Sequence, residues 1–167
     1  LVGSLSLNLE KIKTFFSKSE WKDIEIKNFK EKIKSKLFFP SENSLNPQSI
    51  VELAQKYCKG NPRITIDAGA HMFSATAFWN ASKPFDVLIS NGLATMGFAL
   101  PGAISAALAN PERGAVAFTG DGGFMMCCSE LATAVQYKAN IIVIIFNDGS
   151  LSLIDIKQKS RNLKRSG

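Results

Sequence analysis

Residues 119–152 read TGDGGFMMCCSELATAVQYKANIIVIIFNDGSLS. Just ahead of them, Ala115-Val116-Ala117-Phe118 is an apolar run of the length expected for a buried strand. Gly120-Asp121-Gly122-Gly123 closes that run, a helix-length segment follows over 124–138, and a second apolar run over 141–146 ends in Asn147-Asp148-Gly149. The order is strand, glycine turn, helix, strand. A right-handed crossover of this kind returns the chain to the same edge of a parallel sheet, which puts Asp121 and Asp148 at the carboxyl ends of two strands. Open α/β sheets bind their ligands at that edge.

The alternation continues upstream. Asn46-Pro47 is a helix start, with Asn as N-cap and Pro at the first helical position, and the helix predicted over 47–58 stops before Gly60-Asn61-Pro62. Strands are predicted over 63–67 and 85–90, a short helix over 72–80, and a Gly- and Ala-rich helix over 96–110 with Pro101 in its first turns. Residues 151–158 continue as helix or loop. These elements predict a three-layer α/β sandwich, a mainly parallel sheet with helices on both faces and the site at its carboxyl edge. At the other end of the chain, 1–16 read as a short extended entry and an amphipathic helix. Residues 17–36, rich in Lys with spaced Trp21, Ile24, Ile26, Phe29 and Ile33, read as a surface helix with one apolar stripe. Phe38-Phe39-Pro40-Ser41 breaks that pattern.

Composition bounds the function classes. The chain has 167 residues, 46% hydrophobic and 20% charged, ordinary for a soluble globular domain with a real core. Its net charge of +6 is uneven: residues 1–40 hold nine Lys against five acids, and the remainder eleven Lys and Arg against nine acids. The candidate site therefore lies outside the more basic part. With no recognised nucleic-acid motif and only scattered aromatics, no nucleic-acid partner is expected. The longest apolar run, 141–146, is far too short to span a bilayer and no signal peptide is visible, so no membrane partner is expected and the cytoplasm is the expected location. Cys58, Cys127 and Cys128 lack metal-ligand spacing, and the adjacent pair reads as small core residues.

Two carboxylates at one sheet edge supply oxygen ligands to a hard divalent cation such as Mg²⁺, and a backbone carbonyl just past Asp148 supplies another, leaving positions for phosphate oxygens. Gly122 and Gly123 let backbone N–H groups approach a diphosphate at the start of the next helix. Either glycine turn alone is a common turn, so it is their joint placement after two strands that points to a site. Glu130, two turns into that helix, reads as a surface or capping residue. His71, the only histidine, sits at a strand-to-helix turn and taken alone reads as structural. Met96 taken alone reads as a core filler. A nucleotide-binding α/β domain is the alternative, although the third glycine of a dinucleotide fingerprint and the Gly-Lys-Ser/Thr of a P-loop are both missing.

Gly120-Asp121-Gly122-Gly123-Phe124, a spacer and Phe146-Asn147-Asp148 resemble the bipartite motif of thiamine diphosphate enzymes. Asn91-Gly92-Leu93-Ala94-Thr95-Met96-Gly97-Phe98-Ala99-Leu100-Pro101 is similar to the stretch of acetolactate-synthase-like members that supports the cofactor's bent conformation, and the likeness reaches Asp67-Ala68-Gly69-Ala70-His71-Met72. It covers 45–160. The resemblance implies thiamine diphosphate and Mg²⁺ as cofactors, and it implies a role for each matching residue. By that likeness Asp121, Asp148 and the carbonyl of Ser150 hold the metal; Gly122, Gly123, Leu151 and Ser152 flank the phosphate end; Gly69, Ala70 and His71 lie by the diphosphate. Likewise the carbonyl of Ala94 accepts from the aminopyrimidine, beside Thr95, and Met96 is the apolar wedge between the two rings. Two departures stand out. Many members carry Gln where this chain has Ala70, and the usual second metal ligand is Asn where it has Asp148; the added negative charge holds Mg²⁺ more tightly and attracts the diphosphate slightly less.

The same resemblance implies a 2-oxoacid decarboxylase or carboligase acting on a small 2-oxoacid. Its activating glutamate belongs to a pyrimidine-binding domain of the same or a neighbouring subunit, hence a homo-oligomer. Nothing in these residues matches that domain, so no catalytic residue is assigned and the chain alone is expected to be inert. Residues 1–40 are expected to be the tail of a preceding middle domain and its linker, and 41–167 the diphosphate-binding domain, truncated at its C-terminal end. Separated from its partner domain, it is expected to expose an apolar surface. A non-catalytic binding or regulatory module is the further alternative.

Overall fold

The computed structural model describes residues 3–16, 20–38 and 45–164. They fall into two units, Leu1–Leu37 and Phe38–Gly167. The first holds α1 (Leu5–Lys13) and α2 (Asp23–Leu37), neither with a buried residue. In α2, acids occupy the first turn and Lys34 and Lys36 the last, the polarity that suits the helix dipole. Its stripe of Ile26, Phe29, Ile33 and Leu37 recurs at three- and four-residue spacing and is exposed, the expected surface helix. Most of the predicted break at 38–41 lies outside the described residues.

The second unit runs α3 (Pro47–Tyr57), β1 (Arg63–Ile66), α4 (His71–Phe78), β2 (Val87–Ile89), α5 (Ala99–Ala109), β3 (Ala115–Gly120), α6 (Asp121–Cys127), a 3₁₀ turn at Cys128–Glu130, α7 (Leu131–Gln136), β4 (Ile141–Phe146) and α8 (Ser152–Ser160). The start of α3 is made locally: Asn46 Oδ1 accepts from the Ser49 N–H at 2.7 Å, and Pro47 needs no donor partner. The four strands are all parallel in the order β2-β1-β3-β4, with Ile66 opposite Phe118 and Gly120 opposite Phe146. This register brings the ends of β1, β3 and β4 to one edge.

Strand β3 explains why helices cover both faces. On one side Val116 and Phe118 join Ile64 and Ile66 of β1 against Val51 of α3 and Ala75 and Phe78 of α4. On the other, Ala115 and Ala117 meet Ala99, Ala103, Ala106 and Ala107 of α5, small residues on small, so α5 lies close to the sheet. There the Thr65 hydroxyl donates to the Ala99 carbonyl at 2.7 Å, which satisfies a buried polar side chain. Strand β4 is different. As the last strand of this sheet it leaves Ile142 and Ile145 exposed, one on each of its faces.

Two expectations are corrected. The helix predicted over 124–138 starts earlier, at Asp121, and is broken: Cys127 leaves the helical region at φ −138°, and the Leu131 N–H bonds back to the Cys128 and Ser129 carbonyls. The tight turn resets the helical phase so that Ala134 of α7 reaches Leu100 and Ile104 of α5. For the same reason Cys127 and Cys128 are half-buried rather than core. Cys127 Sγ donates to the Gly123 carbonyl at 3.4 Å, and Cys128 Sγ to that of Met125 at 3.8 Å.

At the amino edge of the sheet, Arg113 donates to a carboxylate oxygen of Asp86 and, through Nε, to the Asn61 carbonyl at 2.6 Å. The second Asp86 oxygen accepts from the N–H groups of Ser82 and Lys83 and from the Ser82 hydroxyl. The Arg113 guanidinium, helped by those donors, holds the Asp86 carboxyl far below the usual carboxylate range against the opposing effect of its burial. A depressed carboxylate stabilises the fold above its unfolded pKa, ~3.9, and that stabilisation is lost as pH falls through the lower folded value. In the unaltered chain the loss is thus confined to strong acid. Arg113→Ala strands the buried charge; it is expected to cost about 3 kcal/mol at pH 7 and to bring acid unfolding to higher pH. Thermal melts between pH 3 and 7 measure both, and equal profiles for the two proteins would refute the assignment.

Candidate functional site

Four chain segments leave the carboxyl edge and enclose a cavity of about 630 Å³. After β1 come Ala68-Gly69-Ala70 and His71, the first residue of α4. After β2 the chain turns through Ala94 and Met96. After β3 come Asp121-Gly122-Gly123, and after β4 Asn147, Asp148 and Ser150, leading through Leu151 into α8. Every residue assigned to the cofactor or the metal from the sequence lines this cavity except Thr95. Thr95 ties the loop down: its carbonyl accepts from the Ala68 N–H at 3.5 Å and its hydroxyl donates to Ser90 Oγ at 3.3 Å.

The acids are held in different ways. Half-buried Asp121 opens α6 and its Oδ1 accepts from the Gly122 N–H at 2.9 Å. Asp148 is exposed; Oδ1 accepts from the Ser150 N–H at 3.1 Å and Oδ2 from the Ser152 hydroxyl. Ser152, read from the sequence as a cofactor contact, thus engages the second carboxylate. Over Gly122 the walls close in: a Cβ there would lie 3.1 Å from both Met96 Cε and Leu151 Cδ2. Ala94 takes φ +51°, a left-handed conformation costing a residue with a side chain ~1 kcal/mol, and its N–H is held by the Ser90 carbonyl at 3.0 Å. That conformation sets the loop that carries Met96.

His71 is 7% exposed, stacks on Phe146 with ring centroids 5.3 Å apart, and lines the cavity with its buried Nε2 unpartnered among the described residues. Burial pushes its pKa down, opposed by the charge of Asp67, a hydrogen bond to the Phe118 backbone and the charge of Asp148. The ring is therefore neutral at pH 7, and brings a hydrogen-bonding group rather than a fixed charge. The ring thus forms part of the cavity wall while one of its nitrogens stays buried.

The residues suit a metal diphosphate. Among the described residues no group of three or more His, Cys, Asp or Glu is placed to hold a metal, so a cation at this edge rests on two carboxylates with backbone and ligand oxygens. That all-oxygen, incomplete donor set fits Mg²⁺ shared with phosphate, and Gly122 leaves the space that a side chain would fill.

Sequence reasoning missed two parts of the site. Asp67, at the end of β1, is wholly buried beneath Gly123 and carried the same signal as Asp121, a carboxylate where a strand ends, yet received no role. The apolar wall of Leu45, Pro47 and Ile50 comes from the start of α3, and nothing in that helix's amphipathic pattern distinguishes a cavity wall from core.

Comparison with known proteins gives a consistent result. Residues 67–167 match the model of the thiamine pyrophosphate enzyme C-terminal TPP binding domain. The chain is 36% identical over 143 residues to an acetolactate synthase large subunit of Buchnera aphidicola subsp. Schlechtendalia chinensis, covering 86% of this chain and 25% of that protein. It is 34% identical over 154 residues to the acetolactate synthase large subunit of Lactococcus lactis, covering 92% and 26%. It is 36% identical over 110 residues to acetolactate synthase isozyme 3 large subunit of Escherichia coli, covering 66% and 19%. The chain thus spans about a quarter or less of the length of the curated relatives it matches. No helix among the described residues is long and apolar enough to cross a membrane. The match favours a TPP-binding domain over the nucleotide-binding α/β alternative.

Proposed function

The chain belongs to the thiamine pyrophosphate enzymes through their C-terminal TPP-binding domain, and from that premise we propose that its carboxyl-edge cavity binds the Mg-diphosphate end of thiamine diphosphate. The family uses thiamine diphosphate with Mg²⁺. The observation that carries the reading is the convergence of Asp121, Asp148, Gly122 and His71 on one cavity. In this reading Asp121, Asp148 and the carbonyl of Ser150 ligate the cation. Gly122 and Gly123 present backbone to the phosphates, with Gly69, Ala70, Leu151 and Ser152 around them. His71 lies beside the diphosphate as part of the cavity wall.

In the same cavity Met96 is the wedge under the cofactor and the Ala94 carbonyl accepts from its aminopyrimidine, with Thr95 holding that loop to Ala68. Residues 41–167 then form the cofactor-binding domain, and 1–40 the end of a preceding domain. When bound, thiamine diphosphate supplies the nucleophilic carbon and electron sink for making or breaking a carbon–carbon bond. The chain's residues orient it. The whole protein is in our reading a 2-oxoacid decarboxylase or carboligase like the acetolactate synthases it is similar to, taking a small 2-oxoacid and completing its site with a pyrimidine-binding domain in a homo-oligomer.

Calorimetric titration of thiamine diphosphate into the chain tests the site. Saturable binding is expected with Mg²⁺ and none with excess EDTA. Asp148→Ala is expected to weaken the metal-dependent binding about tenfold or more, since it removes a proposed ligand. Binding of equal strength in EDTA would overturn the reading.

A further inference from the structure

Asp67 is a wholly buried carboxylate that the cofactor reading leaves without a task. Its Oδ1 accepts from the N–H groups of Phe98 and Ala99, each at 2.7 Å, at the point where α5 begins. Its Oδ2 accepts from the Thr119 hydroxyl at 2.6 Å, one residue ahead of Gly120-Asp121-Gly122-Gly123. The Asp67 N–H donates to the Phe118 carbonyl at 3.0 Å, which fixes its backbone to β3. Among the described residues no ion pair reaches this charge, so three charge-assisted hydrogen bonds hold it. All three donors flank the cavity wall: Phe98 and Ala99 follow Met96 at the start of α5, and Thr119 lies in β3 just ahead of the glycines.

A carboxylate of this kind is a stiff link. Thr119 has one hydroxyl proton with two acceptors in reach, Asp67 Oδ2 at 2.6 Å and the Gly120 carbonyl at 3.1 Å, and the shorter bond goes to the charge. The carboxylate packs closely on Gly123, where an added Cβ would run into Oδ2. The two segments also meet by van der Waals packing, Met96 over Gly122 and Gly97 beside Met126 and Gly123, where a Cβ at Gly97 would lie 3.5 Å from Met126 Cβ and 3.8 Å from the Gly123 carbonyl. Packing of that sort is weak and yielding beside a hydrogen bond to a buried charge.

We propose that Asp67 is a positioning residue that couples the Met96 loop to the β3–α6 junction at Gly120–Gly123, so that occupation of the cavity beside that junction is transmitted to the start of α5. The proposal rests on the thiamine diphosphate reading above. Its direct test is amide NMR of the ¹⁵N-labelled chain titrated with Mg²⁺ and inorganic diphosphate, a ligand that reaches only the phosphate end. The Phe98 and Ala99 signals are expected to move in step with those of Gly122 and Gly123. In Thr119→Val, Gly122 and Gly123 still respond, while the Phe98 and Ala99 displacement falls at least about threefold and Mg-thiamine diphosphate binds about tenfold more weakly, the equivalent of one lost hydrogen bond. Thr119→Ser keeps the hydroxyl and restores both. A residue that merely supports the fold would lower the melting temperature without uncoupling the signals. Stationary Phe98 and Ala99 signals in the unaltered chain, with Gly122 and Gly123 responding, overturn the proposal whether or not the valine variant folds; so does an undiminished displacement in Thr119→Val. If Gly122 and Gly123 ignore both diphosphate ligands, the cofactor reading itself falls, and the coupling with it.

Discussion

Gly123→Ala is expected to lower stability by about 3 kcal/mol and, in whatever remains folded, to abolish measurable cofactor binding. Two effects oppose each other. Gly123 lies inside α6, where alanine is the better helix former by ~1 kcal/mol. Against that, its new Cβ would occupy the place of Asp67 Oδ2 and stand 3.1 Å from Thr119 Oγ1. Overpacking of a tight core costs ~1–3 kcal/mol, and displacing a buried carboxylate from its donors adds ~2 kcal/mol. The clash therefore outweighs the propensity. Gly122→Ala is the control, because its Cβ would meet only the flexible ends of Met96 and Leu151. It is expected to keep or slightly raise the melting temperature while weakening binding, since the methyl fills the space over the phosphates. Thermal melts and calorimetry on both variants separate these outcomes. A Gly123→Ala protein as stable as the parent would mean that Asp67 moves freely and is not the fixed floor of the site.

Much of the architecture was legible because each signal was local. The apolar runs of β3 and β4, the Asn46-Pro47 cap and the glycines at strand ends each act within a few residues, and the strands, α3 and the carboxyl-edge location follow from them. Boundaries were less legible. β2 is three residues where six were predicted, and α5 starts at Ala99 rather than 96, because the Phe98 and Ala99 N–H groups find their acceptor in Asp67, 31 and 32 residues away. The break between α6 and α7 was hidden for a related reason. Helical propensity runs through 124–138 without a glycine or proline, and what breaks the helix is the packing of Ala134 on α5. Asp67 itself shows the limit clearly: a carboxylate at a strand end reads the same whether it faces a ligand or caps a buried helix, and only the fold tells them apart. Family resemblance supplied roles for Ala94 and Met96 that no pattern in this chain encodes. The left-handed Ala94 and the closure of Met96 over Gly122 are compatible with those roles and follow from the loop's anchorage at Ser90 and Ala68.

The two candidate metal ligands are expected to be unequal, with Asp121→Ala weakening Mg-dependent thiamine diphosphate binding on the order of 100-fold and Asp148→Asn less than about tenfold. Asp121 is half-buried in the cavity wall, and the Gly122 N–H donates to its Oδ1. Its charge is poorly screened there, and its loss removes both a ligand and the electrostatic anchor for the cation. Asp148 is exposed and its charge is screened by solvent; asparagine keeps an oxygen at the same place and can still accept from the Ser150 N–H. The substitution also brings the chain to the asparagine usual in the family it resembles. With one negative charge fewer around the same cation, Asp148→Asn is further expected to bind Mg²⁺ alone more weakly while holding the diphosphate slightly better once the metal is present. Neither change touches a buried hydrogen bond of the core, so both variants should melt within a few degrees of the parent. Calorimetry at several fixed Mg²⁺ concentrations distinguishes the two effects. Equal losses in Asp121→Ala and Asp148→Asn would show that charge, and not the placement of an oxygen, sets the site's affinity.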